Sequence, residues 1–251
     1  MNVVITGASG GLGAALAVEL GRRGHAVGLL ARRRSELDAV AERVVAAGGT
    51  AAVAPVDVTD RDAVVAAVAD LEARIGPTDI AVANAGVGRP TPAKKLDASH
   101  VAWIFRLNVE GAANLFEATL PGMLARGSGQ IVGVSSIAAW RGLPPSGAYS
   151  ASKAALDVLM EAWAAELRGS GVCVTGIHPG FVRTPMTAAN RFPMPFLMEA
   201  DDAGRRMAAG ILARRREVNF PLPMVALMRA VHWLPGSVYE WLAPRLVPSD
   251  P

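Results

Sequence analysis

The sequence predicts an α/β protein, built as one domain around a doubly wound parallel sheet of about seven strands. Two observations carry this prediction. Short runs of β-branched and other apolar residues have no polar face, as is typical of strands that are buried on both sides. These runs alternate with longer segments whose apolar residues recur at helical spacing. Such alternation produces parallel strands joined by right-handed helical crossovers, with helices on both faces of the sheet.

The first predicted unit is a strand, a tight turn and a helix. The β-branched run at residues 2–6 is followed by glycines, and Leu12, Leu16 and Leu20 then recur at helical spacing as far as Gly24. Glycine at the end of such a pattern is a common helix stop. The chain therefore begins with one β-α unit.

The same unit recurs along the chain. Short apolar runs predict further strands at residues 26–30, 51–56, 80–83, 130–134, 172–178 and 217–220. Helical spacing predicts helices at residues 35–47, 60–74, 97–126 and 149–168. Ser35 is the predicted N-cap of the first of these helices, because its hydroxyl can accept a hydrogen bond from a free backbone N–H. No interdomain linker is visible before about residue 184, so residues 1–220 are predicted to form one domain.

The composition limits the classes of function. Of the 251 residues, 51% are hydrophobic and 19% are charged, which argues against disorder and allows a sizeable core. The net charge of +3 is too small to predict nucleic-acid binding. Cys173 is the single cysteine, so no intrachain disulfide and no metal site are expected. We expect a cytoplasmic location, because one cysteine fits a reducing compartment and the first apolar run, Val3 to Ile5, is too short for a signal sequence or a membrane span.

The turn after the first strand predicts a phosphate site. It reads Thr6-Gly-Ala-Ser-Gly-Gly-Leu-Gly13, with glycines between the strand and the helix. Glycines there let the backbone approach a pyrophosphate, which the free N–H groups and the dipole of the helix stabilise. The spacing of Gly7, Gly11 and Gly13 is not the commonest dinucleotide fingerprint. A tight turn without a ligand is the alternative interpretation.

Seven motifs in the order and spacing of one family extend this interpretation over residues 1–185. They are Thr6 to Gly13, Asp57-Val58, Asn84-Ala-Gly86, Asn108, Ser136, Tyr149-Ser-Ala-Ser-Lys153 and Pro179-Gly180. On these motifs the chain resembles the classical short-chain dehydrogenase/reductase family. The resemblance implies a Rossmann fold and an oxidoreductase that uses a nicotinamide cofactor.

The resemblance implies a catalytic tetrad of Asn108, Ser136, Tyr149 and Lys153. Tyr149 and Lys153 are four residues apart at the start of a predicted helix and so share one face. An ammonium beside a phenol lowers the pKa of the phenol from about 10 toward the working pH, and the family uses this tyrosine as the general acid of reduction. Ser136, with Ser135 as the competing candidate, would hold the substrate oxygen as negative charge develops. Asn108 would hold a water that connects Lys153 to solvent.

The family also implies a set of cofactor-binding residues. The glycine turn would bind the pyrophosphate, the residues after the third and fourth strands would surround the adenosine, and those after the sixth strand would contact the nicotinamide. The set is Gly7, Ser9, Gly11, Leu12, Gly13, Arg32, Arg33, Asp57, Val58, Asn84, Ala85, Gly86, Tyr149, Lys153, Pro179, Gly180, Val182 and Thr184.

The end of the second strand indicates which cofactor is preferred. A ribose 2′-hydroxyl is normally bound by an acidic residue and a 2′-phosphate by arginine. The strand exits through Ala31 and Arg32-Arg-Arg34, with no acidic residue. Arg32 could stack on adenine while it pairs with the phosphate. We therefore predict NADP(H), with selectivity carried by Arg32 and Arg33, and a solvated arginine run as the alternative.

The last third of the chain indicates an apolar substrate. Residues 185–200 are rich in Pro, Phe and Met and correspond to the family's substrate lid, which favours a small lipophilic carbonyl or alcohol. Arg141, Arg183 and Arg191 could each bind a carboxylate instead. Residues 221–251 form an apolar C-terminal extension rather than a separate domain. It could cap the substrate site, contact another subunit or make a peripheral membrane contact.

These observations predict hydride transfer between NADPH and the carbonyl or alcohol of a lipophilic substrate. Two alternatives remain: an NADP-binding sensor or scaffold without turnover, and a membrane-associated reductase that acts on a lipid-like substrate. A homodimer or homotetramer is expected, because family members pair through the helices that correspond to residues 97–126 and 149–168. His178, just before Pro179, is interpreted as a packing or hydrogen-bonding residue rather than a catalyst.

Overall fold

A computed structural model describes residues 1–188, 190 and 192–246, with the backbone alone at 244–246. These residues form one sheet of seven parallel strands in the order β3-β2-β1-β4-β5-β6-β7. The strands are β1 (Asn2–Thr6), β2 (Ala26–Ala31), β3 (Thr50–Pro55), β4 (Ile80–Ala83), β5 (Gly129–Val134), β6 (Val172–Pro179) and β7 (Glu217–Phe220). The predicted doubly wound parallel sheet is confirmed.

Helices cover both faces of this sheet. They are α1 (Gly11–Arg22), α2 (Arg34–Ala46), α3 (Arg61–Ile75), α4 (Ala98–Phe105), α5 (Gly111–Arg126), α6 (Gly147–Glu166), α7 (Pro185–Ala188), α8 (Ala200–Leu212), α9 (Leu222–His232) and α10 (Gly236–Leu246). Apolar side chains of α1, α2 and α8 share one core with the sheet. Those of α3, α5 and α6 share a second core on the opposite face. Strands β1 to β6 are thus buried on both sides, which explains the absence of a polar face in their sequences, whereas β7 packs only Val218 and Phe220 into a core.

The order of the strands positions the site. The chain moves outward from β1 through β2 to β3, returns to β4 on the other side of β1, and then moves outward in the opposite direction. In sheets of this type a crevice forms at the carboxyl ends of the strands where the order reverses. The turn after β1 and the segments after β4, β5 and β6 meet at that edge.

Two local predictions need correction. Ser35 is not the cap of α2, because the helix begins at Arg34 with Arg33 at the N-cap position. The Ser35 hydroxyl donates to Glu36 instead, and ion pairs of Arg33 with Glu36 and of Arg34 with Asp38 hold the first turns. The helix predicted over residues 97–126 is interrupted by a π-helical turn, Arg106–Glu110, between α4 and α5.

The C-terminal extension, as far as residue 246, consists of the helices α9 and α10. Met224, Val225 and Met228 of α9 pack with Ile137, which follows Ser136. Arg141 from the same loop donates to the carbonyl oxygens of His232 and Leu234 at 3.1 and 3.3 Å. The residues at 247–251 lie outside the described part, as do 189 and 191 of the predicted lid. The division at residue 220 stays a prediction.

Candidate active site

A cleft of about 480 Å³ opens at the carboxyl edge of the sheet, a size typical of small-molecule sites. Its walls come from the turn after β1 and from the ends of β2 to β6. Every predicted cofactor residue except Gly13 lines it, and so do the predicted catalytic residues Ser136, Tyr149 and Lys153. The structure therefore brings residues that are up to 180 positions apart in the sequence, Gly7 and Thr187, into one site.

The glycine turn has the shape that a phosphate needs. Gly7 and Gly11 have φ angles of 65° and 54°, which glycine adopts without strain. A Cβ on Gly13 would come within 2.5 Å of the Gly7 carbonyl oxygen and 2.6 Å of Asn84 Nδ2, so this glycine packs α1 tightly against the turn instead of lining the cleft. Gly10 is the N-cap of α1 and supplies no side-chain cap. The first N–H groups of α1 thus face the cleft without a capping side chain.

Asn84 fastens this turn to the neighbouring strand. Its Nδ2 donates to the carbonyl oxygens of Thr6 and Gly7 at 2.9 and 3.2 Å. The Thr6 hydroxyl accepts from the backbone N–H groups of Asn84 and Ala85, each at 3.0 Å. The amide thereby fixes the turn after β1 relative to β4, which keeps the floor of the cleft rigid.

Lys153 lies at the inner wall of the cleft and is 4% exposed. Its Nζ donates to the Val134 carbonyl oxygen at 2.8 Å and lies 5.9 Å from the centroid of the Tyr149 ring. Burial lowers the pKa of Lys153 from 10.5 to about 8, and the charge of Asp157 opposes this shift. Lys153 is thus an ammonium at neutral pH that can lose its proton in mildly alkaline solution.

The pKa of Tyr149 is raised in the structure, whereas the sequence predicts that it is lowered. Burial raises the pKa of Tyr149 above its ordinary value of 10, and a hydrogen bond with Ser136 opposes the rise only in part. In the structure the burial of the phenol therefore outweighs the lowering that the sequence predicts from the neighbouring lysine. The phenol is therefore protonated at neutral pH, the form that donates a proton.

Ser136 and Ser135 occupy different positions after β5. The Ser136 hydroxyl donates to the Pro179 carbonyl oxygen at 3.4 Å and accepts from Ala138 N–H at 3.1 Å. The Ser135 hydroxyl donates to the Lys153 carbonyl oxygen at 3.2 Å and so holds the helix backbone. Ser136 also shares a hydrogen bond with Tyr149, and this favours Ser136 over Ser135 as the residue that meets a substrate oxygen.

Asn108 lies behind the cleft, in the π-helical turn, and is 1% exposed. Its Oδ1 accepts from Val87 N–H at 2.7 Å, and its Nδ2 donates to the Val87 carbonyl oxygen and the Ser152 hydroxyl at 3.0 and 2.9 Å. A π turn widens the helix locally and is frequent at functional sites. The hydrogen-bonding groups of the Asn108 side chain are thus all paired, with Val87 in the loop after β4 and with Ser152, the residue before Lys153.

Two glycines of the loop after β4 make room for the catalytic side chains. A Cβ on Gly86 would lie 3.2 Å from Lys153 Nζ and 3.3 Å from Asn108 Oδ1. A Cβ on Gly88 would lie 3.2 Å from Tyr149 Cδ2. Gly88 is absent from the predicted site, because the sequence does not show that the Tyr149 ring packs against this glycine.

The far end of the cleft carries the arginines. Arg32 is largely exposed, and its nearest carboxylate oxygen is that of Asp57 at 4.0 Å. Arg33 donates to the Ser9 hydroxyl at 3.3 Å and pairs with Glu36 at 3.1 Å. Asp57 accepts from the Thr59 N–H and hydroxyl at 3.0 and 2.8 Å, and these bonds hold its pKa below the ordinary value. Both guanidiniums border the cleft where a ribose phosphate would lie.

The other end is shaped by the segment after β6. Pro179, Gly180, Val182 and Thr184 line the cleft, joined by Met186 and Thr187 from the predicted substrate lid. Of the three arginines considered as carboxylate ligands, Arg141 is bound to the C-terminal extension and Arg183 pairs with Glu199 at 2.9 Å. Arg191 lies outside the described residues. Arg141 and Arg183 thus have other partners than a substrate.

The described residues also restrict other kinds of site. Within 1–188, 190 and 192–246, no three His, Cys, Asp or Glu residues are grouped as a metal ion would require. Among the helices described, none is long and apolar enough to cross a membrane.

Comparison with known proteins gives a consistent result. A family model described as short chain dehydrogenase matches residues 1–193. An uncharacterized oxidoreductase of Myxococcus xanthus is 46% identical over 98% of this chain and 97% of its own length. A fatty acyl-CoA reductase of Mycobacterium tuberculosis is 38% identical over 96% of this chain and 82% of its own length.

Solved structures agree with this. A variant of actinorhodin polyketide ketoreductase with NADPH has a TM-score of 0.81 at 25% identity, covering 89% of this chain and 97% of that one. A short chain dehydrogenase from Mycobacterium paratuberculosis bound to NAD has a TM-score of 0.78 at 27% identity, covering 87% of this chain and 95% of that one.

Proposed function

Because the chain belongs to the short-chain dehydrogenase/reductase family, we propose that it is an NADP(H)-dependent reductase of lipophilic carbonyl compounds. One observation carries the proposal. A protonated Tyr149, a buried Lys153 ammonium and the Ser136 hydroxyl face one cleft whose other end is a glycine turn bordered by two arginines. This arrangement can bind a phosphorylated dinucleotide and protonate a carbonyl oxygen in the same site.

The residues of the cleft fit the cofactor. The α1 N-terminus would bind the pyrophosphate, Arg32 and Arg33 would bind a 2′-phosphate, and Lys153 would donate to the nicotinamide ribose. Cβ atoms on Gly7 and Gly13 would collide with the backbone, so the chain keeps these positions bare. When bound, NADPH supplies the hydride. Solved relatives include one with NADPH and one with NAD, so the preference for NADP(H) depends on the arginines.

The chain's own groups would act on the substrate oxygen. Ser136 would donate a hydrogen bond to that oxygen, and Tyr149 would give it a proton as negative charge develops. Lys153 would stabilise the resulting phenolate, and a proton would return from solvent through a water held near Asn108. Burial raises the pKa of Tyr149, so the phenol begins a reduction in the protonated form that can donate.

The substrate class is proposed from the walls of the cleft. Met186 and Pro185 line its open end, and Ile137 of the neighbouring loop is buried against α9. Arg141 is hydrogen-bonded to the His232 carbonyl oxygen and Arg183 is paired with Glu199. These contacts support a substrate without a carboxylate. The relatives that are named a fatty acyl-CoA reductase and a polyketide ketoreductase support an acyl-type carbonyl compound.

The role of residues 221–251 remains a proposal. The packing of α9 against the loop after Ser136 supports a cap that shapes the substrate site. Leu222 and Trp233 are 71% and 82% exposed, which leaves the subunit contact and the peripheral membrane contact open. The homodimer or homotetramer and the cytoplasmic location stay predictions.

Turnover with a graded panel of ketones and aldehydes tests the proposal. We expect oxidation of NADPH, followed at 340 nm, to be faster than that of NADH, and kcat/KM to rise roughly threefold to fourfold per added methylene, the value of about 0.8 kcal/mol of apolar burial. Rates that are independent of chain length would contradict the lipophilic pocket. Tight NADPH binding without turnover on any carbonyl would favour the sensor or scaffold.

The arginine pair gives a second prediction. Arg32→Ala is expected to raise KM for NADPH about 10-fold to 100-fold, the loss of one charge-assisted phosphate contact, while KM for NADH changes less than threefold. Arg34→Ala is the matched control, because Arg34 pairs with Asp38 on α2 and does not line the cleft. Equal losses with both cofactors would show that Arg32 does not bind a 2′-phosphate.

A further inference from the structure

A partly buried acid, Asp157, with a side chain that is 25% exposed, lies one helical turn beyond the catalytic lysine. Asp157 follows Lys153 by four residues on α6, so the two side chains lie on the same face of the helix. Lys153 is 4% exposed, and the Asp157 charge favours its ammonium form. Because Lys153 itself is buried, one carboxylate on the same helix face affects its protonation even though that carboxylate is partly exposed.

This acid is held by a histidine from the neighbouring strand. His178 Nε2 lies 3.1 Å from Asp157 Oδ1, and His178 is 6% exposed. A carboxylate only accepts hydrogen bonds, so Nε2 carries the proton and donates it. Trp140 covers the imidazole, with ring centroids 5.7 Å apart. The carboxylate is therefore fixed in direction by a histidine that is itself buried.

The pair also joins the two elements that carry the tetrad. His178 directly precedes Pro179, whose carbonyl oxygen accepts from the Ser136 hydroxyl at 3.4 Å. Asp157 lies on the helix that carries Tyr149 and Lys153. A hydrogen bond between His178 and Asp157 thus ties the end of β6 to α6 behind the cleft. Movement at this link would change the distance between Ser136 and Tyr149.

Polar and ionisable groups from several elements surround Asp157 and His178. On α6 they are Tyr149, Lys153, Asp157 and Glu161, which follows Asp157 by four residues on the same helix face. The loop after β5 presents Ser136 and the Trp140 ring, β6 presents His178, and β7 places Asn219 beside His178 in register. His178 Nδ1 and Asn219 Oδ1 are buried without a hydrogen-bond partner among the described residues.

We propose that Asp157 and His178 are positioning residues of the reductase: His178 holds the Asp157 carboxylate behind Lys153, where its charge keeps the catalytic ammonium protonated and its hydrogen bond keeps β6 and α6 in register. The proposal rests on the proposed function, which assigns Lys153 its role. Neither residue touches substrate or cofactor.

The Asp157→Asn variant separates the effect of the carboxylate charge from the effect of the hydrogen bond to His178. Its amide oxygen can still accept from His178 Nε2, so the link between β6 and α6 is kept and only the charge is lost. We expect the alkaline limb of kcat/KM for NADPH to move to lower pH by about one unit, the effect of one nearby charge at a buried site. An alkaline limb at the wild-type position would overturn the proposal.

A second measurement needs no turnover. The pKa of Lys153 in the folded protein is below its value in the unfolded chain. Between about pH 8 and 10.5 the unfolded chain therefore binds more protons, and the free energy of unfolding increases with rising pH. In Asp157→Asn this gain should begin about one pH unit lower, and in a Lys153→Met background, which lacks the titrating lysine, the gain should be absent with or without Asp157→Asn. If wild-type protein shows no turnover, the proposed function fails while this comparison still decides the role of Asp157. Identical stability curves for wild type and Asp157→Asn would refute it.

His178 is tested by a conservative and a disruptive variant. His178→Gln can still donate from its amide to Asp157, and kcat should stay within about threefold of wild type. His178→Leu removes the donor, so kcat should fall about tenfold while KM for NADPH changes little, as expected for lost positioning. Equal losses in both variants would contradict the role of His178 as a donor.

Discussion

Tyr149→Phe is expected to lower kcat for carbonyl reduction by about 10³-fold or more, with NADPH affinity within about threefold of wild type. The phenylalanine ring can keep the packing against Gly88, where a Cβ would lie 3.2 Å from Tyr149 Cδ2. It removes the hydroxyl that shares a hydrogen bond with Ser136 and donates the proton. Single-turnover rates with saturating NADPH would measure the loss at the chemical step.

The second tyrosine of the chain provides the control. Tyr239, on α10, donates to the Gly142 carbonyl oxygen and lies outside the cleft. Tyr239→Phe should therefore retain kcat within about threefold, since general acid catalysis does not pass through it. If Tyr149→Phe kept more than about a tenth of the wild-type kcat, a different group would have to supply the proton.

The pKa of Tyr149 sets the sign of the pH dependence. Burial raises this pKa, so the phenol stays protonated across the neutral range and its protonation does not limit reduction there. Oxidation of an alcohol would need the phenolate, so its rate should rise with pH throughout the same range. Parallel pH profiles of the two directions would show whether this one group governs both.

The sheet and the cleft were predictable because each depends on a local pattern. An apolar run without a polar face identifies a buried parallel strand wherever it occurs, and a strand followed by glycines and a helix identifies the phosphate turn. Arg32 and Arg33 were also predictable, since the residues at the end of β2 must border the adenosine half of such a cleft.

Other features depend on contacts that periodicity does not encode. The helix α8, from Ala200 to Leu212, follows a lid rich in proline and was not predicted, although its buried face packs on α1. Ser35 has a favourable residue type for a cap, but the ion pairs of Arg33 and Arg34 allow the helix to begin earlier. Residue preference is a weak guide where tertiary or charge interactions compete.

In the candidate site, too, some features follow from the sequence pattern and others depend on tertiary contacts. His178 was interpreted as a hydrogen-bonding residue, and its bond to Asp157 at 3.1 Å fits that interpretation. Its partner could have been suggested by the four-residue spacing from Lys153, but not identified, since the spacing predicts only a shared helix face. The pKa of Tyr149 is raised rather than lowered, because proximity along a helix does not reveal how deeply the phenol is buried.

Lys153→Met is expected to abolish turnover and to stabilise the protein without nucleotide. Activity should fall about 10²-fold to 10³-fold, because the phenolate of Tyr149 loses its nearby cation. The folded pKa of about 8, against an ordinary 10.5, means that burial of the charge costs on the order of 3 kcal/mol at neutral pH, at about 1.4 kcal/mol per unit. Loss of the hydrogen bond to the Val134 carbonyl oxygen offsets about 1 kcal/mol of that gain.

The pH dependence distinguishes this gain from ordinary repacking. A lysine whose folded pKa is lowered destabilises the protein fully below about pH 8, and the cost disappears as pH rises toward 10.5. Urea unfolding should therefore show Lys153→Met about 1–2 kcal/mol more stable at pH 7 and nearly equal to wild type near pH 10. Lys95→Met, at an exposed position, is the control and should match wild type at both pH values. A less stable Lys153→Met at pH 7 would mean that the bond to Val134 outweighs burial, and the lysine would then be part of the scaffold as well as of the chemistry.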